Sequence, residues 1–377
     1  MAELEGPNQE FTVESSDLST AEFDRAKLLQ EITSKRNLLS GVNLDCIGIF
    51  TDLIPTQFGQ LTYLFDRGSR STQEDALGFI HTEDRISLII ADGVGGIDNG
   101  SIVSHQVTSN CMAIAERQAL VQTLKENATK ITEGICSLGA TTLSVVDVSK
   151  DGKLQAAHVG DSPYWIIRNG ECIYKNKLHT LYESFHDQIM QYLNDFKFSN
   201  GSQIDRPADA HTLITKSNIV QLVSELASNE PFSDSTYRQI IFNWAENLAD
   251  DVKKIVYYRI LNETEITRTV QAFSEIYLEF SNEIKLNSGD VVIISTDGVQ
   301  PQCIEYIDNK PQLKLGNLIN TKDICKVVNA ANGDTEQIAI SLQKFSRDRN
   351  GRDNLAMIVF KYEPKEVTSD GRWKIHN

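Results

Sequence analysis

At 377 residues the chain is long enough for one large domain or two ordinary ones, and 40% apolar with 23% charged residues describe a globular protein with a sizeable core. A net charge of −16, from 36 basic and 52 acidic residues, repels phosphate surfaces and so argues against nucleic-acid binding and against anionic membranes. The six cysteines (Cys46, Cys111, Cys136, Cys172, Cys303, Cys325) form no Cys-x-x-Cys pair, which argues against structural zinc and leaves buried thiols as the expectation.

Residues 1–10 are acidic and polar, unlike a secretory signal or transit peptide, and no apolar run approaches the roughly 18 residues that span a bilayer. A reducing, cytoplasmic setting is expected, in which the sequons at Asn127, Asn200 and Asn262 carry no weight. Ser19-Thr20-Ala21-Glu22 reads as a capping box opening a helix over 19–39, with Phe23, Ala26, Leu29 and Ile32 as its apolar face. Residues 41–58 read as a connector, so that 1–58 is an N-terminal helical extension and 59–362 the main domain.

The alternation of Leu61, Tyr63 and Phe65 predicts a strand over 60–66. It runs into Asp66-Arg67-Gly68-Ser69-Arg70-Ser71-Thr72-Gln73-Glu74-Asp75, which is either a solvated turn or a place where Arg70 grips an oxyanion and Glu74 reaches a metal. Strands are expected over 76–80 and 87–91, the second ending in Asp92-Gly93-Val94-Gly95-Gly96. A helix is expected over 101–116, and 131–138 reads as the end of another. A strand over 143–148 turns at Asp151-Gly152, and its return over 154–159 ends in Gly160-Asp161-Ser162. A further strand starts at Trp165 and turns at Asn169-Gly170.

Over 179–266 the apolar spacing is helical, without acid–glycine punctuation, and the region reads as a mostly helical insertion. His186 and His211 there read as structural or exposed. Strands resume over 276–280 and 291–295, the latter ending in Thr296-Asp297-Gly298. Helices are expected near 321–329 and 334–345, then Gly351-Arg352-Asp353-Asn354 enters a strand over 355–360, and 363–377 is a polar tail.

One acid at a strand end is unremarkable, but Asp92, Asp161, Asp297 and Asp353 each stand there beside glycine or asparagine. Clustered carboxylates repel, and each buried one costs several kcal/mol unless a positive charge sits between them. Hard oxygen ligands with no His or Cys pattern select Mg²⁺ or Mn²⁺ over zinc or copper. Two such ions can clamp an in-line phosphoryl displacement, and with Arg70 they supply the local positive field that a chain of charge −16 otherwise lacks.

The ordered series Arg70-x-x-x-Glu74-Asp75, Asp92-Gly93-x-Gly95-Gly96, Gly139-x-Thr141-Thr142, His158-Val159-Gly160-Asp161-Ser162, Ser295-Thr296-Asp297-Gly298 and Asp353-Asn354 resembles the metal-dependent serine/threonine protein phosphatases of the 2C type, the PPM family. Asp66-x-Gly68-x-x-Arg70 looks more like the family's bacterial branch. The resemblance covers 60–362, interrupted by the helical region, and implies an α+β fold: a β-sandwich of two antiparallel sheets flanked by helices, with metals in a cleft at one end. It implies that Asp92 bridges two Mn²⁺ or Mg²⁺ ions, that Glu74 and the Gly93 carbonyl complete one coordination sphere, and that Asp297 and Asp353 complete the other. Asp75 would orient bound water, Arg70 would hold the substrate phosphate, and Asp161 would share a third, weaker ion with Asp297. A bridging hydroxide would attack phosphorus directly, while Asn354 would support its loop rather than ligate.

The departures are specific. Ile97 stands where many members carry a histidine thought to protonate the leaving group, so slow turnover is expected. Pro163 replaces a common arginine, and Leu178-His179-Thr180 is a weak echo of a downstream Asp-His pair. The expected function is hydrolysis of phosphoserine and phosphothreonine in a phosphorylated protein partner. The alternatives are a pseudophosphatase that uses the fold as a binding or scaffold module, and an enzyme acting on a small phosphorylated molecule. Oligomeric state, substrate and the role of the N-terminal extension are not legible in the sequence.

Overall fold

The computed structural model describes residues 37–40, 49–94, 99–135, 138–198, 216–228, 234–261, 266–300, 304–307, 310–314 and 319–364. The chain divides into two compact units, Met1–Asn37 and Leu38–Asn377, and apart from Asn37 the first lies outside the described residues.

Apolar runs bounded by Gly, Asn and Asp turns give the first strands: β1 (Asn37–Ser40), β2 (Ile49–Thr56), β3 (Gly59–Asp66), β4 (Asp75–His81) and β5 (Arg85–Asp92). Helices α1 (Gly100–Ala115) and α2 (Leu120–Glu126) lead to β6 (Ala140–Thr141), β7 (Leu143–Ser149), β8 (Lys153–Val159), β9 (Tyr164–Arg168) and β10 (Glu171–Lys175). Then come α3 (Leu181–Phe198), α4 (Lys216–Ser228), α5 (Asp234–Ala245) and α6 (Asp250–Ile255), followed by the short strands β11 (Val270–Gln271), β12 (Glu279–Phe280) and β13 (Ile284–Lys285). The chain closes with β14 (Val291–Ser295), β15 (Ile304–Ile307), β16 (Lys310–Leu313), α7 (Thr321–Ala330), α8 (Thr335–Asp348) and β17 (Leu355–Tyr362).

These strands build two large sheets. One runs β1-β4-β5-β7-β8-β12, with β13 also on β8; the other runs β10-β9-β14-β17-β3-β2. The pairings among β2 to β17 are antiparallel. The sheets face each other, β14 and β17 against β4 and β5, with Tyr63 and Phe79 stacked between them at 6.2 Å. That double coverage explains why β4 and β14 are apolar on both faces. Helices cover the outer faces: α1 lies on β4 and β5, and α8 lies on β3 and β17. Ile89, Val107 and Val145 belong to the first helix–sheet core, and Leu64, Ile338 and Met357 to the second. The α+β sandwich implied by the sequence resemblance is thus the observed architecture.

Three local expectations differ from the structure. The 41–58 connector contains β2, which pairs along its length with β3. Pro55 disguises it, but β2 is an edge strand, where a missing N–H costs no ladder bond. The helix expected over 19–39 lies outside the described residues up to 36, and its last residues belong to β1. Of the stretch expected to end a helix over 131–138, the described residues 131–135 and 138 are not α-helical. Asn127 accepts the Thr129 N–H and starts a 3₁₀ turn, Ala128–Thr132, and Gly134 at φ +76° then leaves helical space. The polar tail lies outside the described residues from 365 onward.

One ion pair fastens the β14 entry. Arg168 donates to Asp290 through Nε (3.1 Å) and Nη2 (2.7 Å), and the Asp290 side chain is almost wholly buried. Arg168→Ala should leave that carboxylate uncompensated and lower stability by about 3 kcal/mol, read as a shift in urea midpoint. A shift below ~0.5 kcal/mol would show that the pair is dispensable.

Candidate metal centre

The antiparallel order brings one set of strand ends together. Asp75 opens β4 directly opposite Asp92 at the close of β5. Asp161 follows β8, Asp297 follows β14, and Asp353 precedes β17, whose first residue pairs with Asp66 at the end of β3. Glu74 and Arg70 lie on the segment between β3 and β4. Six separate strands therefore present acidic residues and one arginine at the same end of the sandwich.

The backbone around each acid is braced. The Asp92 carbonyl accepts from the Thr142 N–H (2.8 Å) and Thr141 Oγ1 (2.7 Å), while its N–H donates to Thr142 Oγ1 (3.0 Å). The Gly93 N–H donates to the Glu74 carbonyl (3.1 Å), and a Cβ on Gly93 would sit 2.6 Å from the Gly100 backbone. Asn354 acts as a hub. Its Oδ1 accepts from the Glu74 N–H (2.8 Å), and its Nδ2 donates to the carbonyls of Arg67 and Thr72 (2.9 Å each). A Cβ on Gly298 would overlap the Asn354 carbonyl at 1.7 Å, so the two loops touch backbone to backbone. Thr296 crosses the sandwich, donating from Oγ1 to Asp75 Oδ2 (2.9 Å).

The carboxylates strain one another. Burial raises the Asp92 pKa well above the usual carboxylate range, and the charges of Asp75, Asp297, Asp161 and Asp353 add to it. Asp75 is raised likewise, by burial and then by Asp297. Asp297 is pushed up to about 7 by burial and by Asp353, with Arg70 opposing. Arg70 Nη2 lies 2.5 Å from Asp353 Oδ2, with about half of the arginine side chain exposed. Burial lowers the Arg70 pKa, but Asp353, Asp297 and Glu74 outweigh it and hold the guanidinium charged. Among the described residues Arg70 is the cation that acts on Asp353, Asp297 and Glu74, and Asp75 Oδ1 is buried with no protein donor. An orphaned carboxylate oxygen in a set of hard oxygen donors fits divalent ions of the Mg²⁺ or Mn²⁺ type.

A second cluster lies nearby: His158, His179 and Glu279 have ligand atoms within 4.8 Å of one another. Its hydrogen bonds describe a brace. The Gly160 N–H donates to His179 Nδ1 (3.1 Å), which leaves the ring proton on Nε2 for Glu279 Oε2 (3.1 Å). His158 Nε2 donates to the Lys177 carbonyl (2.6 Å). The His179 N–H also binds the Gly160 carbonyl (2.9 Å), so His179 grips both polar groups of the residue before Asp161. Burial lowers the pKa of both histidines, which keeps them neutral.

Every acid singled out in the sequence lies in this region, as do Arg70 and Gly93. Gly95, Gly96 and Ile97 lie outside the described residues. Thr296 was missed as a functional support. Its signal was the hydroxyl residue between a buried strand and its terminal acid.

No protein-family model matches the chain, and no curated protein matches it. Solved structures do. A serine/threonine phosphatase from S. agalactiae aligns at 16% identity over 84% of this chain and 100% of that one, with a TM-score of 0.48. Stp1 from Staphylococcus aureus aligns at 16% identity over 80% of this chain and 94% of its own, with a TM-score of 0.49. PstP/Ppp from Mycobacterium tuberculosis aligns at 15% identity over 84% of this chain and 99% of its own, with a TM-score of 0.45. The chain is similar in fold to bacterial serine/threonine phosphatases.

The strain has a measurable sign. An acid whose folded pKa is raised holds its proton better in the folded state, so its contribution to stability falls as pH rises from about 4 to about 7. In chelator, Asp297→Asn should unfold at higher urea than the parent at pH 7.5, by on the order of 2 kcal/mol, and the advantage should vanish near pH 4. Equal pH slopes for the two proteins would show that these carboxylates do not strain one another.

Proposed function

We propose that this chain is a metal-dependent phosphatase that hydrolyses phosphoserine and phosphothreonine in proteins. The observation that carries the reading is the convergence of Asp75, Asp161, Asp297 and Asp353 on Asp92, whose pKa their charges raise, with the Arg70 guanidinium beside Asp353. Asp92, Glu74 and the Gly93 carbonyl would hold one ion, and Asp92, Asp297 and Asp353 a second. Asp161 and Asp297 would hold a weaker third.

When bound, Mg²⁺ or Mn²⁺ supplies Lewis acidity and a water of lowered pKa. The remaining tasks fall to the chain. Arg70 offers a planar pair of N–H donors to two phosphate oxygens, and its half-exposed side chain is free to turn from Asp353 towards an incoming anion. Asp75, buried and tied to Thr296 through one oxygen, keeps the other for a water proton. Burial and neighbouring charge raise its pKa, which makes it a stronger proton acceptor than an exposed carboxylate. Ile97 supplies no proton for the departing alkoxide, so another group would have to do so, and slow turnover is expected.

The test is phosphate release from a phosphothreonine peptide with Mn²⁺, Mg²⁺ or chelator. We expect metal-dependent turnover, lost by at least ~10²-fold in Asp92→Asn, with Arg70→Ala raising KM more than it lowers kcat. Folded protein that releases no phosphate with either metal would favour the scaffold reading.

A further inference from the structure

We propose that Arg347, on the last turn of α8, is a positioning residue that sets the loop carrying Asp353 against the loop carrying Arg70. The inference rests on the metal-dependent reading of the site. Arg347 reaches Asp353 through its backbone carbonyl and not through its carboxylate. Its Nε donates to Asp66 Oδ2 (2.7 Å), Nη1 to the Gly351 carbonyl (2.8 Å) and Nη2 to the Asp353 carbonyl (3.0 Å). All three nitrogens of the guanidinium are thus committed, and the side chain is only 20% exposed.

Asp66 completes the staple from the other side. It closes β3, and its Oδ1 accepts from the Gly68 N–H (2.8 Å), which orients the turn leading to Arg70. Gln343, one helical turn before Arg347, donates to Asp66 Oδ2 (2.6 Å). Burial would raise the Asp66 pKa, but the hydrogen bonds from Arg347 and Gln343 outweigh it and keep the carboxylate ionised. The two loops then meet directly. The Ser69 N–H donates to the Arg352 carbonyl (2.9 Å), and Gly68 at φ +63° lies so close that a Cβ would sit 2.4 Å from the Asp353 carbonyl.

A lysine at 347 keeps the charge but presents one nitrogen where the arginine presents three, so it cannot hold Asp66, Gly351 and Asp353 together. The distance between the metal acid and the phosphate-binding arginine would then no longer be fixed. A merely structural arginine makes a different prediction, and Arg168, at the end of β9 and paired with Asp290, provides the control, since its hydrogen bonds go to Asp290 and the Lys285 carbonyl and to neither loop.

The experiment is calorimetric titration of Mn²⁺ into the full chain, its Arg347→Lys variant and its Arg168→Lys variant, each at a temperature where it is folded. Arg347→Lys should weaken Mn²⁺ binding by ~10-fold and raise KM for a phosphothreonine peptide, while Arg168→Lys leaves Mn²⁺ affinity unchanged. Equal Mn²⁺ affinity in Arg347→Lys and the parent overturns the inference. A parent chain that binds no divalent ion overturns the metal reading instead. Amide hydrogen exchange in chelator then decides about the staple: faster exchange at Ser69 in Arg347→Lys supports it, and equal exchange overturns it.

Discussion

Carboxylates held close together repel, and this chain gathers several of them at one end of a β-sandwich, with the Arg70 guanidinium beside them. Little in the construction makes sense without that cost. A cluster of this kind persists only where the backbone around each acid is fixed from outside the cluster, because the acids themselves push apart. Thr141 and Thr142 hold Asp92 by its peptide groups, Asn354 ties the Glu74 segment to the β17 entry, and Thr296 reaches across the sandwich to Asp75. Arg347 fastens the remaining pair of loops from α8. These donors are neutral or face away from the cluster, so they steady the acids without neutralising them. Divalent cations, as proposed above, are the chemistry such a frame suits best.

The acids were legible in the sequence because a buried strand that ends in Asp-Gly leaves a clear local mark. Asp92 directly follows the apolar run Leu88 to Ala91, Asp297 follows Val291 to Ile294 after Ser295 and Thr296, and the sandwich was implied by the resemblance that the order of such marks carries. What holds the acids was not legible. Thr296 and Asp75 stand 221 positions apart, and Arg347 and Asp66 stand 281 apart, so no local pattern links them. Strand β2 was hidden for a different reason. Pro55 breaks a central-strand pattern, and only the sheet order reveals that β2 is an edge where proline is tolerated.

The helical stretch between β10 and β11 has its own core, in which Trp244, Tyr237 and Leu226 are buried together. It leaves and rejoins the sandwich beside the site. His179, just before α3, grips Gly160, and its carbonyl accepts from the Thr267 N–H (2.8 Å) where the chain returns. The exit of this region is therefore bonded to the residue that precedes Asp161, and its return is bonded to that exit. The neutral His179 ring, locked in one tautomer by Glu279, suits a brace better than a metal ligand, since its Nδ1 lone pair already serves the Gly160 amide.

The claim on which this account turns is that the strand-end acids form a divalent-cation site. The most direct measurement is an anomalous difference map from crystals grown in Mn²⁺, collected at an energy where manganese scatters anomalously. The account predicts two peaks flanking Asp92, one within ligand distance of Glu74 and the other of Asp297 and Asp353. A map with no peak among these acids, or with manganese at His158, His179 and Glu279 instead, would contradict it.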